Sequence, residues 1–372
     1  MTAWTSCKSI LVIRADNMGD VLMSSPAIRA LKNTFNAKIT LLASNEVRPI
    51  ADLLPEIDDV ITASLPWVKR SEVSTSSEMR DLIEQLTERQ FDACVVFTVY
   101  SQSALPAALL AWMVGIPKRL AYCRENPYEL LNYWILEKEP YEVIKHQTER
   151  DLDLVERVGA VVADKRLKIS LNPDVRQILR QKLVALGVNL DRNLFILHAG
   201  VSERKRSYPI TQWIQLGKIL QRQFNAQILL TGSKAERQLT EDLQHELQGN
   251  AYALGGKLSL AELAALIAMS AVVISVNTIT AHLASAVETP QVVLYAQTNP
   301  QHHPWMSTHM EILEFSLLEK DISKNEIVRF VHKTHYADYV PIPSADQVII
   351  AVRKLLQKPK LKTKSQEAST FS

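Results

Sequence analysis

The sequence predicts an α/β protein made of two domains, each built on a mostly parallel sheet. Short apolar runs alternate with helical segments along most of the 372 residues, which is typical of strand–helix–strand units. This alternation begins again near residue 172, so the chain divides into two similar halves. Hydrophobic residues make up 47% of the sequence, enough for two large cores. We therefore expect two α/β domains with a cleft between them.

The first domain is predicted to span residues 1–171. Pro26 falls within its first helix and is expected to kink or break it. Ser77 is expected to cap the helix 78–89 through its hydroxyl. Buried strands are predicted at 9–13, 38–43, 60–61, 92–97 and 119–122, and helices at 20–35, 47–54, 78–89, 104–114 and 148–158.

The second domain is predicted to span residues 172–343, followed by a closing helix at 344–357 that is expected to pack back on the first domain. The tail 358–372 is rich in Lys, Ser and Thr and is expected to be disordered. Predicted strands lie at 194–197, 227–230, 272–276, 292–295 and 311–315, and helices at 173–186, 209–224, 235–247, 260–269 and 345–356.

Composition and motifs exclude several classes of protein. A net charge of +2 gives no indication of a nucleic-acid partner. The first strand is not followed by GxGxxG, and GxxxxGK[ST] does not occur, which argues against dinucleotide oxidoreductases and P-loop enzymes. Three widely spaced cysteines and an amino end unlike a signal peptide predict a cytoplasmic protein. The apolar run 104–114 is too short to span a bilayer, so membrane contact would be peripheral.

Candidate site residues lie where the predicted strands end, because open α/β sheets bind ligands at the carboxyl ends of their strands. In the first half this set is acidic, with Asp16 and Asp20 among Arg14, Asn17 and Gly19. In the second half the corresponding set suits phosphate. A carboxylate facing a phosphate-binding half suits a base that acts on an acceptor hydroxyl beside an activated donor. The second set is His198, Gly200, Lys205, Arg206, Thr231, Gly232, Lys234, Glu236, Asn277, Thr278, Thr280 and His282.

Residues 272–286 form an apolar strand, a polar turn and a helix of small residues. The hydroxyl of Thr278 or Thr280 can cap this helix. The unpaired N–H groups of its first turn, with their partial positive charge, suit phosphate, and His282 would lie about one turn inside. The alternative is an ordinary buried strand–helix unit with a polar turn.

Several segments, taken in order, resemble glycosyltransferase family 9, the heptosyltransferases. The resemblance covers nearly the whole chain and rests on the order of the motifs. Its segments are the run 10–31 with Gly19-Asp20 and Pro26-Ala27, the His146 helix start, the basic turn 205–209 before Trp213, the Gly255-Gly256-Lys257-Leu258-Ser259-Leu260 segment, and the turn 277–282.

This resemblance implies the GT-B fold, in which two Rossmann-like domains hold the active site between them. It implies inverting, metal-independent transfer of a heptose or similar sugar to the lipopolysaccharide core or a related lipid-linked or oligosaccharide acceptor, at the cytoplasmic face of the inner membrane. The co-substrate is a nucleotide-sugar, expected to be ADP-linked, and no further cofactor or metal is expected. Carried onto this chain, the resemblance makes Asp20 the general base, Lys205 and Arg206 the diphosphate ligands, Glu236 the ribose ligand, and Asn277, Thr278, Ile279, Thr280 and His282 the phosphate-binding turn.

Two residues depart from the family pattern at the donor site. Asn277 replaces the family's Asp and loses its charge, while Ile279 replaces a Gly with a β-branched side chain. Either the donor differs from ADP-heptose or donor binding has weakened. The alternative function is a GT-B relative that binds nucleotide or glycan without turnover.

For several other charged residues the sequence allows both a functional and a structural interpretation. Asp16 is a second choice of base or a turn former, and Glu236 is a ribose ligand or a helix-start charge. His302 and His303 are adjacent without an evident carboxylate partner, which favours a loop without a metal. Five basic residues are candidate ligands of an anionic acceptor, although exposed surface charge explains them equally well: Arg14, Lys69, Arg70, Arg119 and Arg124.

Overall fold

The computed structural model describes residues 4–68 and 74–357, which form two parallel six-stranded sheets. The first sheet has the order β3-β2-β1-β4-β5-β6, the doubly wound order of Rossmann-like domains. The order in which successive strands are added reverses between β1 and β4, and this reversal places a crevice at the carboxyl ends of these two strands. The strands are β1 Ser9–Ile13, β2 Lys38–Ala43, β3 Asp59–Thr62, β4 Ala93–Val96, β5 Lys118–Cys123 and β6 Tyr133–Leu136.

The second sheet repeats this topology with the order β12-β11-β10-β7-β8-β9. Here β7 and β10 flank the reversal, so the turns that follow them line the corresponding crevice. The strands are β7 Leu194–His198, β8 Gln227–Leu230, β9 Ala251–Ala253, β10 Val272–Val276, β11 Gln291–Ala296 and β12 Met310–Phe315. The predicted α/β class and GT-B arrangement are confirmed.

Helices cover both sheets. Within the described residues no helix is both long and apolar enough to cross a membrane. The α-helices are α1 Met18–Phe35, α2 Arg48–Ala51, α3 Ser76–Glu88, α4 Leu105–Met113, α5 Gln147–Glu156, α6 Pro173–Ala185, α7 Ile210–Phe224, α8 Arg237–Leu247, α9 Leu260–Met269, α10 Ile279–Ala286, α11 Glu326–His335 and α12 Ala345–Gln357.

Several local predictions were wrong. Helix α1 runs through Pro26 without interruption. Thr75, rather than Ser77, caps α3: its hydroxyl accepts the Glu78 N–H, and the Glu78 carboxylate accepts the Thr75 N–H. Strands β6 and β9 and helix α11 were not predicted. Both strands are short and lie at sheet edges, where the sequence carries no long apolar run.

The closing helix α12 packs on the second domain, not the first as expected. It contacts α7, β11 and β12, and its apolar face joins the core that contains Trp213. Two hydrogen bonds fix the entry: the Tyr208 hydroxyl donates to the Pro343 carbonyl at 2.8 Å, and the Gln212 side chain accepts the Ala345 N–H at 2.8 Å. The predicted disordered tail, 358–372, lies outside the described residues.

The domains meet where α1 contacts α10. Val21 and Leu22 of α1 and Leu283 and Ala284 of α10 belong to one buried hydrophobic cluster. Apolar packing therefore continues from one domain into the other. It brings the first turns of α1 and α10 close to each other at the mouth of both crevices.

Candidate active site

A glycine lets the two domains approach each other at the predicted site. Gly19 is the second residue of α1, and a Cβ atom placed on it would lie 3.3 Å from Cδ2 of His282. His282 belongs to α10 of the other domain and is 7% exposed. Because Gly19 has no side chain, the imidazole packs directly against the start of α1. The two helix starts thus form facing walls of the cleft.

Charged groups cluster where β1 ends. The Arg14 guanidinium is completely buried, with its Nη2 3.4 Å from Oδ1 of Asp20 and its Nε 3.5 Å from Oδ2 of Asp16. The Asn17 amide donates to Oδ2 of Asp20 at 3.1 Å. Asp20 itself is 5% exposed. This geometry fixes a carboxylate at the start of α1, opposite the second domain.

The pKa values of the two carboxylates are pushed apart. Burial acts to raise the pKa of Asp20, but the surrounding donors and cations, Arg14 foremost, outweigh it and hold that pKa below its ordinary value. For Asp16, burial dominates and raises the pKa despite Arg14. Such a pair, with separated pKa values, is typical of acid–base sites. Asp20 is therefore the carboxylate of the pair that its surroundings keep ionised.

The turn from β10 into α10 carries polar atoms that have no hydrogen-bond partner within the described part of the chain. They are buried, and an unsatisfied buried polar group costs about 1–3 kcal/mol. Thr278 occupies the cap position of α10, yet its hydroxyl makes no capping bond. A ligand at this helix start would satisfy these atoms together with the first-turn N–H groups. The atoms are Asn277 Oδ1, Thr278 Oγ1, Thr280 Oγ1 and His282 Nδ1.

Asn277 and Ile279, the two residues that depart from the family pattern, both make contacts with the rest of the second domain or with the shared core. The Asn277 amide donates to the Thr298 hydroxyl at 3.1 Å, which ties the turn to the segment after β11. Ile279 is the first residue of α10 and packs partly buried against the hydrophobic cluster shared by both domains. Its helical position requires no positive φ, so the β-branched side chain is accommodated without backbone strain.

The basic turn after β7 holds the two predicted diphosphate ligands. Lys205 and Arg206 lie in the 3₁₀ turn Arg204–Arg206, and both pair with Oε2 of Glu203, at 3.4 and 3.1 Å. Burial chiefly lowers the pKa of His302, and the charge of Arg206 adds to this after those of Arg14 and His146. The two side chains are about a quarter exposed, so they remain accessible to an anion.

Glu236 fills a space that two glycines leave open at the ends of β7 and β8. A Cβ atom on Gly200 would lie 2.1 Å from the Glu236 carboxyl carbon, and one on Gly232 would lie 3.1 Å from Glu236 Cβ. One carboxylate oxygen accepts the Ser233 N–H at 2.6 Å. The side chain therefore caps a helix start and also lies at the strand ends, where a ligand would bind.

The five basic residues that were predicted as acceptor ligands differ in their burial and in their hydrogen bonds. Arg119 donates to the main-chain carbonyls of Ile116, Glu129 and Leu130, so its assigned role is revised to a structural one. Arg124 donates to the Tyr100 and Glu139 carbonyls near the cleft but stays partly exposed. Arg14 is buried under Asp20. Lys69 and Arg70 lie outside the described residues.

The segment Asn299–Trp305, called here the β11 loop, was not predicted to take part in the site. Nε2 of His302 lies 3.5 Å from Oδ1 of Asp20, and Nε2 of His303 lies 3.0 Å from Oε1 of Glu314. Both histidines thus have the carboxylate partner that the sequence did not reveal. Among the residues that the structure describes, no three His, Cys, Asp or Glu side chains are grouped to hold a metal ion.

Two Rossmann-like domains, with a buried carboxylate on one and a helix start with unpaired polar atoms on the other, form the arrangement of glycosyltransferases with the GT-B fold. Residues 79–328 match the model of glycosyltransferase family 9 (heptosyltransferase), and the chain belongs to this family. It is a glycosyltransferase. The matched range does not include Asp20, so a role for that residue depends on the geometry described above and on the segment 10–31.

Individual relatives agree with this membership. Lipopolysaccharide heptosyltransferase 2 of Salmonella typhimurium is 25% identical over 337 residues, covering 87% of this chain and 93% of the relative. A family 9 glycosyltransferase from Veillonella parvula superposes with a TM-score of 0.75 at 16% identity, covering 95% and 99% of the two chains. An E. coli heptosyltransferase solved with ADP has a TM-score of 0.65 at 17% identity, covering 93% and 99%.

Proposed function

We propose that this glycosyltransferase transfers a heptose or similar sugar from an ADP-linked donor to a lipopolysaccharide-core or related glycan acceptor. In this proposal, transfer inverts the anomeric centre and needs no metal. The observation that carries it is the contact of Gly19 with His282, which places the Asp20 helix start opposite the α10 turn. A base on one domain then faces the donor phosphate on the other.

Donor binding would use the second domain. The diphosphate would accept hydrogen bonds from the first-turn N–H groups of α10 and from the hydroxyls of Thr278 and Thr280, which have no other partner among the described residues. Lys205 and Arg206 would neutralise its charge, as a metal ion does in other transferases. Glu236 would accept hydrogen bonds from the ribose hydroxyls. The E. coli neighbour solved with ADP supports an adenine nucleotide.

The chemical step would be a single displacement. The acceptor hydroxyl attacks the anomeric carbon while the bond from that carbon to the diphosphate oxygen breaks, which inverts the configuration. Asp20 takes the hydroxyl proton as the new bond forms. The electron pair of the broken bond stays on the diphosphate, where the α10 turn and Arg206 stabilise it.

The acceptor would enter over the first domain, where Arg124 is partly exposed. A lipid-linked acceptor requires access to the cytoplasmic face of the inner membrane. Helix α4 offers a surface for such peripheral contact, because Leu109, Trp112 and Met113 are 45%, 48% and 52% exposed on one face. Co-sedimentation with anionic vesicles should fall for a Trp112→Ser variant. Equal binding would remove α4 as the contact surface.

A thermal-shift panel of ADP, UDP, GDP and their sugars tests the donor assignment. ADP at 100 times its Kd should stabilise the protein by about 2.7 kcal/mol. Arg206→Ala should weaken ADP binding by about 10- to 100-fold, since a charge-assisted hydrogen bond contributes about 1.5–3 kcal/mol. Arg204→Ala, an exposed neighbour in the same turn, is the matched control and should bind normally. Equal affinity in both variants would contradict the assigned diphosphate site.

A further inference from the structure

The β11 loop crosses the cleft and presents an imidazole to the proposed base. His302 comes from the second domain, yet its Nε2 lies 3.5 Å from Oδ1 of Asp20 in the first. The His302 side chain is 27% exposed while the Asp20 side chain is 6% exposed. The His302 imidazole therefore lies between solvent and the almost completely buried Asp20 carboxylate.

Several contacts with the first domain hold this loop in place. The completely buried Gln301 side chain donates to Oε1 of Glu139 at 3.1 Å. Trp305 stacks on His146 with ring centroids 4.5 Å apart, and its indole N–H donates to the Lys165 carbonyl at 2.7 Å. These contacts on both sides of His302 fix its position. The approach of His302 to Asp20 therefore depends on how the two domains sit together.

A proton taken by Asp20 needs a group that can receive it. Arg14 and the Asn17 amide, which contact the two carboxylate oxygens, can only donate hydrogen bonds. Nε2 of His302 lies 3.2 Å from the Asn299 amide nitrogen, so it is the accepting nitrogen of the neutral imidazole and can take up a proton, and the side chain is 27% exposed. We propose that His302 receives from Asp20 the proton of the acceptor hydroxyl and releases it to solvent. This inference rests on the proposed role of Asp20 as the base.

The proposed relay balances in two transfers. In the first, the acceptor O–H bond breaks and the proton joins an Asp20 oxygen as the glycosidic bond forms. In the second, that proton moves to Nε2 of His302, which becomes an imidazolium, and Asp20 is again a carboxylate. The imidazolium, which is 27% exposed, then loses its proton to water. No oxidant, reductant or further reactant is needed.

The surroundings keep His302 neutral before the reaction, as a proton acceptor must be. Burial and the nearby Arg14, His146 and Arg206 outweigh the attraction of Asp20 and lower the pKa of His302 to about 4. His282 is the other imidazole beside Asp20, and its pKa is likewise lowered to about 4, chiefly by burial.

Substitution of His302 tests the relay. His302→Ala should lower kcat by about 10- to 100-fold, at the low end of general acid–base effects, with the Kd for ADP unchanged. Added imidazoles should restore turnover in this variant, and the rate should rise with the basicity of the imidazole. His302→Gln should stay slow, because an amide can donate to Asp20 but cannot carry the proton. His245→Gln, an exposed substitution on α8, is the control and should be fully active.

Full turnover of His302→Gln, or no response of His302→Ala to any imidazole, would overturn the relay. A double substitution separates this failure from that of the proposed base. If Asp20→Asn abolishes most turnover and His302→Ala adds no further loss, the relay acts through Asp20. If Asp20→Asn is inactive while His302→Ala is fully active, the base stands and the relay falls. If Asp20→Asn is fully active, the proposed base itself falls.

Discussion

Replacing Arg14 by Met should change both the activity profile and the stability of the protein. The methionine side chain fills similar space but removes the guanidinium that lies 3.5 Å from the Asp16 carboxylate and 3.4 Å from the Asp20 carboxylate. Three carboxylates then lose one source of positive charge, because Asp151, which Arg150 also stabilises, interacts with Arg14 as well. We expect the pKa of Asp20 to rise and the acid limb of the pH–rate profile to move upward.

The size of this effect follows from the geometry. Two unit charges 3.4 Å apart attract by about 5 kcal/mol at an effective dielectric constant of about 20, which is an upper limit for the change. A carboxylate beside a guanidinium commonly has its pKa lowered by about one to three pH units, so the acid limb should move by that amount. Removing one partner of a buried pair also costs about 3–5 kcal/mol of stability.

Urea unfolding at pH 5 and pH 8, with kcat/KM measured across the same range, tests this prediction. The stability deficit should be larger at pH 8, because the carboxylates left behind have raised pKa values and are relieved by protonation at pH 5. Arg48→Met is the control: its pair with Asp52 is about half exposed, and its loss should cost under about 1 kcal/mol. An unmoved acid limb together with unchanged stability would refute the role given to Arg14.

Three further changes probe the site. Asp151→Asn should become more stable relative to the parent protein as pH rises through about 6. Burial raises the pKa of Asp151 to about 6, so its ionisation destabilises the folded parent protein above that pH. Unfolding at pH 4 and pH 8 measures the difference in stability between the two proteins, and a difference that does not change with pH would contradict the prediction. Gly200→Ala should displace the Glu236 carboxylate, 2.1 Å from the new Cβ, and weaken ADP binding by about 10-fold with little loss of stability; unaltered affinity would remove Glu236 from the ribose site. Asn277→Asp combined with Ile279→Gly should raise ADP-heptose turnover if the donor site is weakened, and lower turnover on the native donor if the donor has changed; no effect would show that this turn does not touch the donor.

Much of the fold could be predicted because strands buried on both faces read as short apolar runs. Residues 9–13 and 272–276 illustrate this, since every residue of β10 and four of the five in β1 are buried. Edge strands carry no such signal: β6 alternates between partly buried and exposed positions, and β9 has three residues. The predicted packing partner of α12 was wrong because an amphipathic pattern defines an apolar face but not the domain that covers it.

The candidate site was predictable where residues directly follow a strand. Asp20 and the 277–282 turn were found in this way, because parallel strands gather their carboxyl ends at one edge. His302 was not, since its contact with Asp20 joins residues far apart in the chain and depends on how the two domains sit together. Arg119 illustrates the opposite error: its sequence position suggested an anion ligand, but local carbonyl groups take up its guanidinium.

The most direct test of the proposed mechanism is the turnover of Asp20→Asn on a nucleotide-sugar and glycan acceptor, measured beside its affinity for ADP. Asparagine is nearly isosteric and is well tolerated near a helix start, so fold and ADP affinity should be retained. Turnover should fall by about 10²- to 10⁴-fold, the usual contribution of a general base. Asp16→Asn should have a much smaller effect. Equal turnover of Asp20→Asn and the parent protein would contradict the assignment of Asp20 as the base.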